Sequence, residues 1–251
     1  MTTRLFVSGR LSNGAEVTLD AERAHYLGRV LRCQPGDTVG VFNGDDGEFR
    51  ATVEALRKNR ATLLVREPVD SNLESPLKLH LVQGVSRGER MDFVVQKATE
   101  LGVKRITPVL TDHGVVRLDA KRADKRRTHW QRVAESACEQ CGRIRPPLVD
   151  APIALNKWFG EGGGGDATQL VLTHGPGVPP LTAIESPPVK LCLLIGPEGG
   201  LSESELDDAS LAGFEPVSMG PRVLRTETAA LTAVAIAQSL WGDLRPGPTP
   251  R

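Results

Sequence analysis

Two short segments near the C-terminus constrain the fold of this chain most: Leu193-Leu194-Ile195-Gly196-Pro197-Glu198-Gly199-Gly200 and Met219-Gly220-Pro221-Arg222-Val223-Leu224-Arg225-Thr226-Glu227-Thr228-Ala229. Each passes from an apolar strand through a loop bearing glycine and proline into a helix start. Such loops expose backbone N–H and C=O groups at strand ends, and two of them can surround one ligand. Open α/β sheets commonly build their pockets in this way. In the first loop the glycines permit positive φ and close backbone approach. Glu198 stands at its mouth, and Ser202-Glu203-Ser204-Glu205 fits a capping box that starts the next helix. The bland alternative is a plain strand-to-helix connection.

In the second loop Gly220-Pro221 ends the short strand 216–219, and Thr226 is placed to cap an alanine- and leucine-rich helix over 227–241. Arg222 and Arg225 bracket that helix start. A helix N-terminus favours anions, so stability alone does not call for cations there. Either they serve a ligand, or they pair with Glu198 or Glu227. A third loop, Thr173-His174-Gly175-Pro176-Gly177, also follows a strand. His174 reads as a polar wall residue, because the sequence places no carboxylate to orient it as a base. The chain has no G-x-G-x-x-G, G-x-x-x-x-G-K-[ST] or G-x-S-x-G, which disfavours a Rossmann dinucleotide site, a P-loop and an α/β-hydrolase.

Around these loops the chain divides by pattern. Residues 1–70 carry short runs of strand composition (5–7, 16–19, 38–42, 48–53 and 61–65) separated by turns such as Asn13-Gly14 and Pro35-Gly36-Asp37. Close-set short strands predict a small β-barrel. One helical insert is expected over 21–31, and the polar, proline-flanked stretch 68–76 reads as a linker. From 77 onward strands and helices alternate: strands at 77–82, 105–110, 170–173 and 189–195, helices at 90–101 and 121–141, and a short helix at 154–159. That alternation implies a parallel sheet covered by helices, an α/β domain over 77–245.

Charge and cysteine usage narrow the class. Lys+Arg and Asp+Glu both number 31, so net charge advertises no polyanionic partner. The distribution is uneven: 117–132 holds seven Lys/Arg against Asp119 and Asp124. That run is either a solvated helix face or a phosphate contact. Cys138 and Cys141 form a C-x-x-C that no second pair or histidine couple completes, so they are expected to be ordinary thiols, with no metal. The N-terminus lacks a signal-peptide core, and no apolar run approaches the ~20 residues of a membrane span. A cytoplasmic protein with no membrane partner is expected.

With these loops placed, the chain resembles the RsmE family of 16S ribosomal RNA uridine-N3 methyltransferases, within the SPOUT superfamily. Further segments carry the likeness: Arg29-Val30-Leu31-Arg32, Gln83-Gly84, Arg90-Met91-Asp92, Gln96-Lys97-Ala98-Thr99-Glu100-Leu101-Gly102-Val103, and Glu139-Gln140-Cys141-Gly142-Arg143 with Pro146. It covers nearly the whole chain. The resemblance implies a PUA-like RNA-binding barrel followed by an α/β domain whose C-terminal part forms a trefoil knot. It also implies a homodimer acting on 16S ribosomal RNA of the small ribosomal subunit, with S-adenosylmethionine as cofactor. Cofactor contacts are then expected from Leu172, His174, Ile195, Gly196, Pro197, Gly199, Gly200, Met219, Gly220, Leu224 and Thr226. Two departures stand out: Leu201, where the family often has phenylalanine, and Asp112-His113-Gly114 after Thr111. Neither is expected to touch the cofactor loops.

Methyl transfer to uracil N3 needs alignment, removal of the N3 proton and stabilisation of the imide anion. Glu198 is the expected base, with Arg225 or Arg222 facing the uracil carbonyl oxygens. RNA contacts are expected from Arg29, Arg32, Arg87, Arg90, Arg143 and Arg145. The target should be unpaired or flipped out, because Watson–Crick pairing hides N3. Two rivals are a ribose 2′-O-methyltransferase with the same cofactor loops, and a catalytically silent RNA-binding or ribosome-assembly factor.

Overall fold

A computed structural model describes residues 3–244; positions 1, 2 and 245 of the expected domain limits lie outside the described residues. The chain forms two compact units. The first comprises the residues up to Glu74 together with Glu135–Pro146, a segment that the linear reading had placed in 77–245.

In the first unit, β1 (Arg4–Phe6), β2 (Glu16–Leu19), β3 (Thr38–Phe42), β4 (Glu48–Arg57) and β5 (Arg60–Val69) form one sheet in the order β1-β3-β4-β5-β2. β1 runs parallel to β3, and the remaining pairs are antiparallel. Alternating Val17/Leu19, Ala51/Val53 and Ala61/Leu63/Val65 turn inward and are buried, as the period-two pattern requires. β5 extends to Val69, so the connection expected over 68–76 is shorter than the composition suggested.

Between β2 and β3, α1 (Ala21–His25) is capped by Asp20, whose side chain accepts from Arg23 N. The helix then widens into a π turn, Tyr26–Val30, instead of continuing as α-helix to 31. Arg32 leaves it at φ +57, a left-handed conformation uncommon for a residue with a Cβ. Arg29 and Arg32 are both exposed.

Arg4 holds Glu135–Pro146 in this unit. Its guanidinium lies 4.6 Å from the Phe42 ring centroid, makes two bonds of 2.9 Å to Glu48, and donates to the carbonyls of Cys138 (2.6 Å) and Arg143 (3.1 Å). Arg143 itself corrects a sequence expectation. It is 3% exposed and donates from Nη2 to Glu74 Oε2 at 2.9 Å. A guanidinium withdrawn from water and matched to a carboxylate is structural, so it is not available to an RNA phosphate. Arg145 is exposed, with Nε donating to Gly44 O. Cys138 is buried, and its hydrogen bond to Cys141, followed by burial, raises its thiol pKa. Among the described residues no cluster of three His, Cys, Asp or Glu could hold a metal.

The second unit is built on a sheet in the order β12-β10-β11-β6-β7-β8, with β9 also paired to β7, and every pair is parallel. The strands are β6 (Lys78–Gly84), β7 (Arg105–Leu110), β8 (Leu148–Val149), β9 (Ile153–Ala154), β10 (Thr168–Leu172), β11 (Lys190–Ile195) and β12 (Glu215–Val217). The helices are α2 (Arg90–Glu100), α3 (Ala120–Cys141), α4 (Leu155–Gly160), α5 (Glu203–Leu211) and α6 (Thr226–Trp241).

β11 explains the layering. Its unbroken run Leu-Cys-Leu-Leu-Ile is buried on both faces, as expected of a central parallel strand. Leu191, Leu193 and Ile195 join the core formed with α2, α3 and α6, whereas Cys192 and Leu194 pack with Trp158, Ala209 and Phe214 on the other face. Alanines 229, 230, 233 and 237 keep α6 close to its neighbours. No described helix is long and apolar enough to cross a membrane.

Candidate cofactor and substrate site

The loops after β10, β11 and β12 come together at the C-terminal ends of their strands and enclose a cavity of about 760 Å³. That volume lies in the range of small-molecule sites. From the first loop come Leu172 and His174; from the second, Ile195, Gly196, Pro197, Glu198, Gly199 and Gly200; from the third, Met219, Gly220, Arg222, Leu224, Arg225 and Thr226. All fourteen residues expected for cofactor contact or catalysis therefore line one cavity.

The second loop is seated by the absence of a side chain at Gly84, the last residue of β6. A Cβ there would stand 2.4 Å from Pro197 N and 2.8 Å from Gly196 C. After the turn, Gly200 adopts φ +72, and Ser202 closes the capping box with Glu205 that the sequence predicts. Glu205 also reaches sideways, accepting from Asp112 N at 2.9 Å, and Ser202 Oγ bonds Asp112 Oδ2.

Thr226 does not cap α6 as expected. Arg225 occupies the N-cap position without a side-chain cap, and Thr226 Oγ1 donates to Gly196 O at 2.6 Å. Buried Gln83 donates from Nε2 to the same hydroxyl at 2.8 Å. Thr226 thus ties the second loop to the third.

Glu198 is fixed. It accepts from Arg90 Nη1 at 2.6 Å and from Arg87 N at 3.2 Å. Burial pushes its carboxyl up, but bonds from its own backbone N–H, Arg90 and Arg87, with the charge of Arg90, outweigh that effect. Its pKa is held below the ordinary 4.5. Arg90, expected to touch RNA, is thus a cavity residue, and its Nε lies 4.0 Å from Glu227 Oε1. Arg87 is exposed. No ion pair joins Arg222 or Arg225 to Glu198 or Glu227 among the described residues; both carboxylates face Arg90 instead.

Three features escaped the sequence reading. Leu201 lines the cavity, and the ring Nδ1 of His113 lies 3.0 Å from Gly199 O, so both departures from the family pattern do touch the cofactor loops. Glu227 also lines the cavity. Its place two residues after Arg225 was visible, but read only as a possible ion-pair partner. Whether such a side chain turns inward depends on how α6 is rotated, which spacing alone does not set.

A parallel α/β sheet with a ligand-sized cavity at its strand C-termini defines a protein that binds a small organic molecule at its loops. Comparison with known proteins makes the class specific. The profile of the RNA methyltransferase domain matches residues 73–238, and that of the RNA methyltransferase PUA domain matches residues 19–66. The ribosomal RNA small subunit methyltransferase E of Buchnera aphidicola subsp. Schizaphis graminum is 32% identical over 96% of this chain and 97% of its own length. A Neisseria gonorrhoeae enzyme of the same name, solved bound to S-adenosylmethionine, superposes with TM-score 0.91 at 37% identity, covering 98% of this chain and all of that one. A Legionella pneumophila protein solved with the same cofactor gives TM-score 0.91 at 39% identity, covering 97% of this chain and 99% of that one. The chain belongs to the ribosomal RNA small subunit methyltransferase E family, the RsmE family of the sequence reading.

Proposed function

We propose that this protein methylates N3 of a uridine in 16S ribosomal RNA, using S-adenosylmethionine bound in the cavity at the ends of β10, β11 and β12. The convergence of three expected loops on that one cavity carries the reading. The residues present fit the cofactor. Leu172, Ile195, Leu201, Met219 and Leu224 supply apolar wall for the adenine and the thioether chain, and the backbone of the loops is open to polar edges. Glu198 and Glu227 suit cationic groups, and Arg222 and Arg225 suit a carboxylate or a developing anion. When bound, the sulfonium supplies an electrophilic methyl group.

The remaining work falls to the protein. Gly84, Gln83 and Thr226 hold the loops in register, so a bound methyl donor and a nucleophile meet at fixed distance and angle. Arg222 and Arg225, free of ion pairs with the nearby carboxylates, face the negative charge that spreads onto the uracil oxygens when N3 loses its proton. Glu198, occupied by Arg90 and Arg87 N–H, shapes the loop and balances the arginines in this reading, in place of the base role first expected for it.

The first unit is proposed to bind RNA through exposed Arg29, Arg32 and Arg145, with Arg87 contributing from the second. The small β-barrel over 1–70, the trefoil knot within 77–245, the homodimer and the assembled small subunit as substrate are carried from the resemblance as parts of the same proposal. The test is methyl transfer from labelled S-adenosylmethionine to small subunits lacking native modifications, run beside protein-free 16S RNA. Label in assembled subunits and little in free RNA is the expected result. Label in neither, with cofactor binding intact, contradicts the proposed substrate. No cofactor binding at all favours the silent assembly factor.

A further inference from the structure

The uracil N3–H needs an acceptor, and Glu198 is already occupied by two donors. Glu227 lies in the same cavity in a different state. Its side chain is 16% exposed, and Oε1 faces Arg90 Nε at 4.0 Å. Its Oε2 is fully buried and has no hydrogen-bond partner among the described residues. A buried carboxylate oxygen without a donor is costly, by about 1–3 kcal/mol or more, and native structures rarely keep one without use. An acidic residue in the first turn of α6 complements the helix dipole, but that effect needs no oxygen turned from solvent into a ligand cavity.

We propose that Glu227 is the general base, its Oε2 taking the N3 proton of the target uracil. This inference rests on the uridine-N3 reading above and names the group that reading leaves unassigned. The balance is simple. The N3–H bond gives its proton to Glu227 Oε2, and the N3 electron pair forms the new N–CH3 bond. The S–CH3 bond breaks, its electron pair staying on sulfur, which becomes a neutral thioether. The carboxyl then returns its proton to water. The charged and titratable groups lining the cavity with Glu227 are Arg90 from α2, Glu198 beyond β11, His174 beyond β10, and Arg222 and Arg225 before α6. Arg90 bridges the two carboxylates, so Glu198 keeps it oriented toward Glu227.

The experiment is single-turnover methylation of unmodified small subunits at saturating cofactor, from about pH 6 to 9, with wild type, Glu227→Gln, Glu227→Asp and Glu198→Gln. Calorimetry of S-adenosylmethionine and thermal unfolding accompany each variant. Glu227→Gln should lose at least about 100-fold in rate near neutral pH, the usual size of a general-base effect. Its rate should then climb about tenfold per pH unit as N3 ionises by itself, while its cofactor Kd stays within about threefold of wild type. Glu227→Asp should keep the wild-type pH profile at a reduced rate, and Glu198→Gln should lower the rate without adding the steep climb. A Glu227→Gln rate within about threefold of wild type overturns the assignment. So does a weakened cofactor Kd with the rate restored at saturation, which would make Glu227 an anchor for the cofactor's ammonium. Wild type that binds cofactor but produces no 3-methyluridine marks failure of the underlying reading instead.

Discussion

At the scale of single residues, Thr226 is the most informative side chain. Its hydroxyl receives Gln83 Nε2 and donates to Gly196 O, so one atom joins β6, the loop after β11 and the start of α6. Thr226→Val keeps the shape and removes both bonds, leaving a buried amide donor and a carbonyl unpaired. We expect about 1–3 kcal/mol of lost stability in denaturant unfolding, with weaker S-adenosylmethionine binding by calorimetry. Arg143 makes the opposite point. Its buried pair with Glu74 predicts that Arg143→Ala costs about 3–5 kcal/mol in the same unfolding measurement, while the salt dependence of RNA binding keeps its slope. Sequence spacing placed both residues in the right motifs but misassigned what they do. Thr226 looked like a helix cap and Arg143 like a phosphate contact, because a motif fixes residue type and neighbourhood, and only packing decides which partner a hydroxyl or guanidinium meets.

At the scale of elements, the strands and helices of the second unit were legible because their patterns are strong. Examples are the buried run of β11, the capping box of α5 and the alanine-rich α6. What escaped were contacts between distant elements, such as Gly84 of β6 beneath Pro197, or Asp112 and His113 against the loop that follows β11. Gly84→Ala would drive a Cβ into backbone atoms that cannot yield by rotating a side chain. We expect about 1–3 kcal/mol of destabilisation and a clear loss of cofactor affinity, measured by thermal unfolding and calorimetry. A second element-level prediction concerns His80, which joins β6 to its neighbours. Thr107 on β7 donates to Asp150, so His80 Nε2–H donates to Thr107 Oγ1 at 2.7 Å, leaving Nδ1 as acceptor toward Cys192 Sγ on β11. Burial, followed by the charge of Arg105, lowers its pKa from 6.5 to about 4. The unfolded chain therefore binds more protons between those values, and stability should fall as pH drops from 6.5 toward 4. The loss is at most roughly 3 kcal/mol. His80→Gln should flatten that part of the stability profile; an unchanged profile would mean that this imidazole titrates as freely folded as unfolded.

For the whole molecule, the order of parts along the chain announced a β-rich first section and an α/β second one, but not the return of Glu135–Pro146 to the first unit. Nothing local marks that return. It follows from Arg4 bonding the carbonyls of Cys138 and Arg143, residues more than a hundred positions away in sequence. The cavity, by contrast, was visible from its glycine- and proline-bearing loops, because exposed backbone at strand ends needs those residues wherever it meets a ligand. The central claim joins that cavity to one reaction, and the product tests it most directly. Unmodified small subunits would be treated with the protein and S-adenosylmethionine, their RNA digested to nucleosides, and the methylated product identified by mass spectrometry against authentic standards. We predict 3-methyluridine as the new nucleoside, formed in proportion to enzyme. A 2′-O-methylated nucleoside in its place would assign the same cavity to ribose chemistry and contradict the claim.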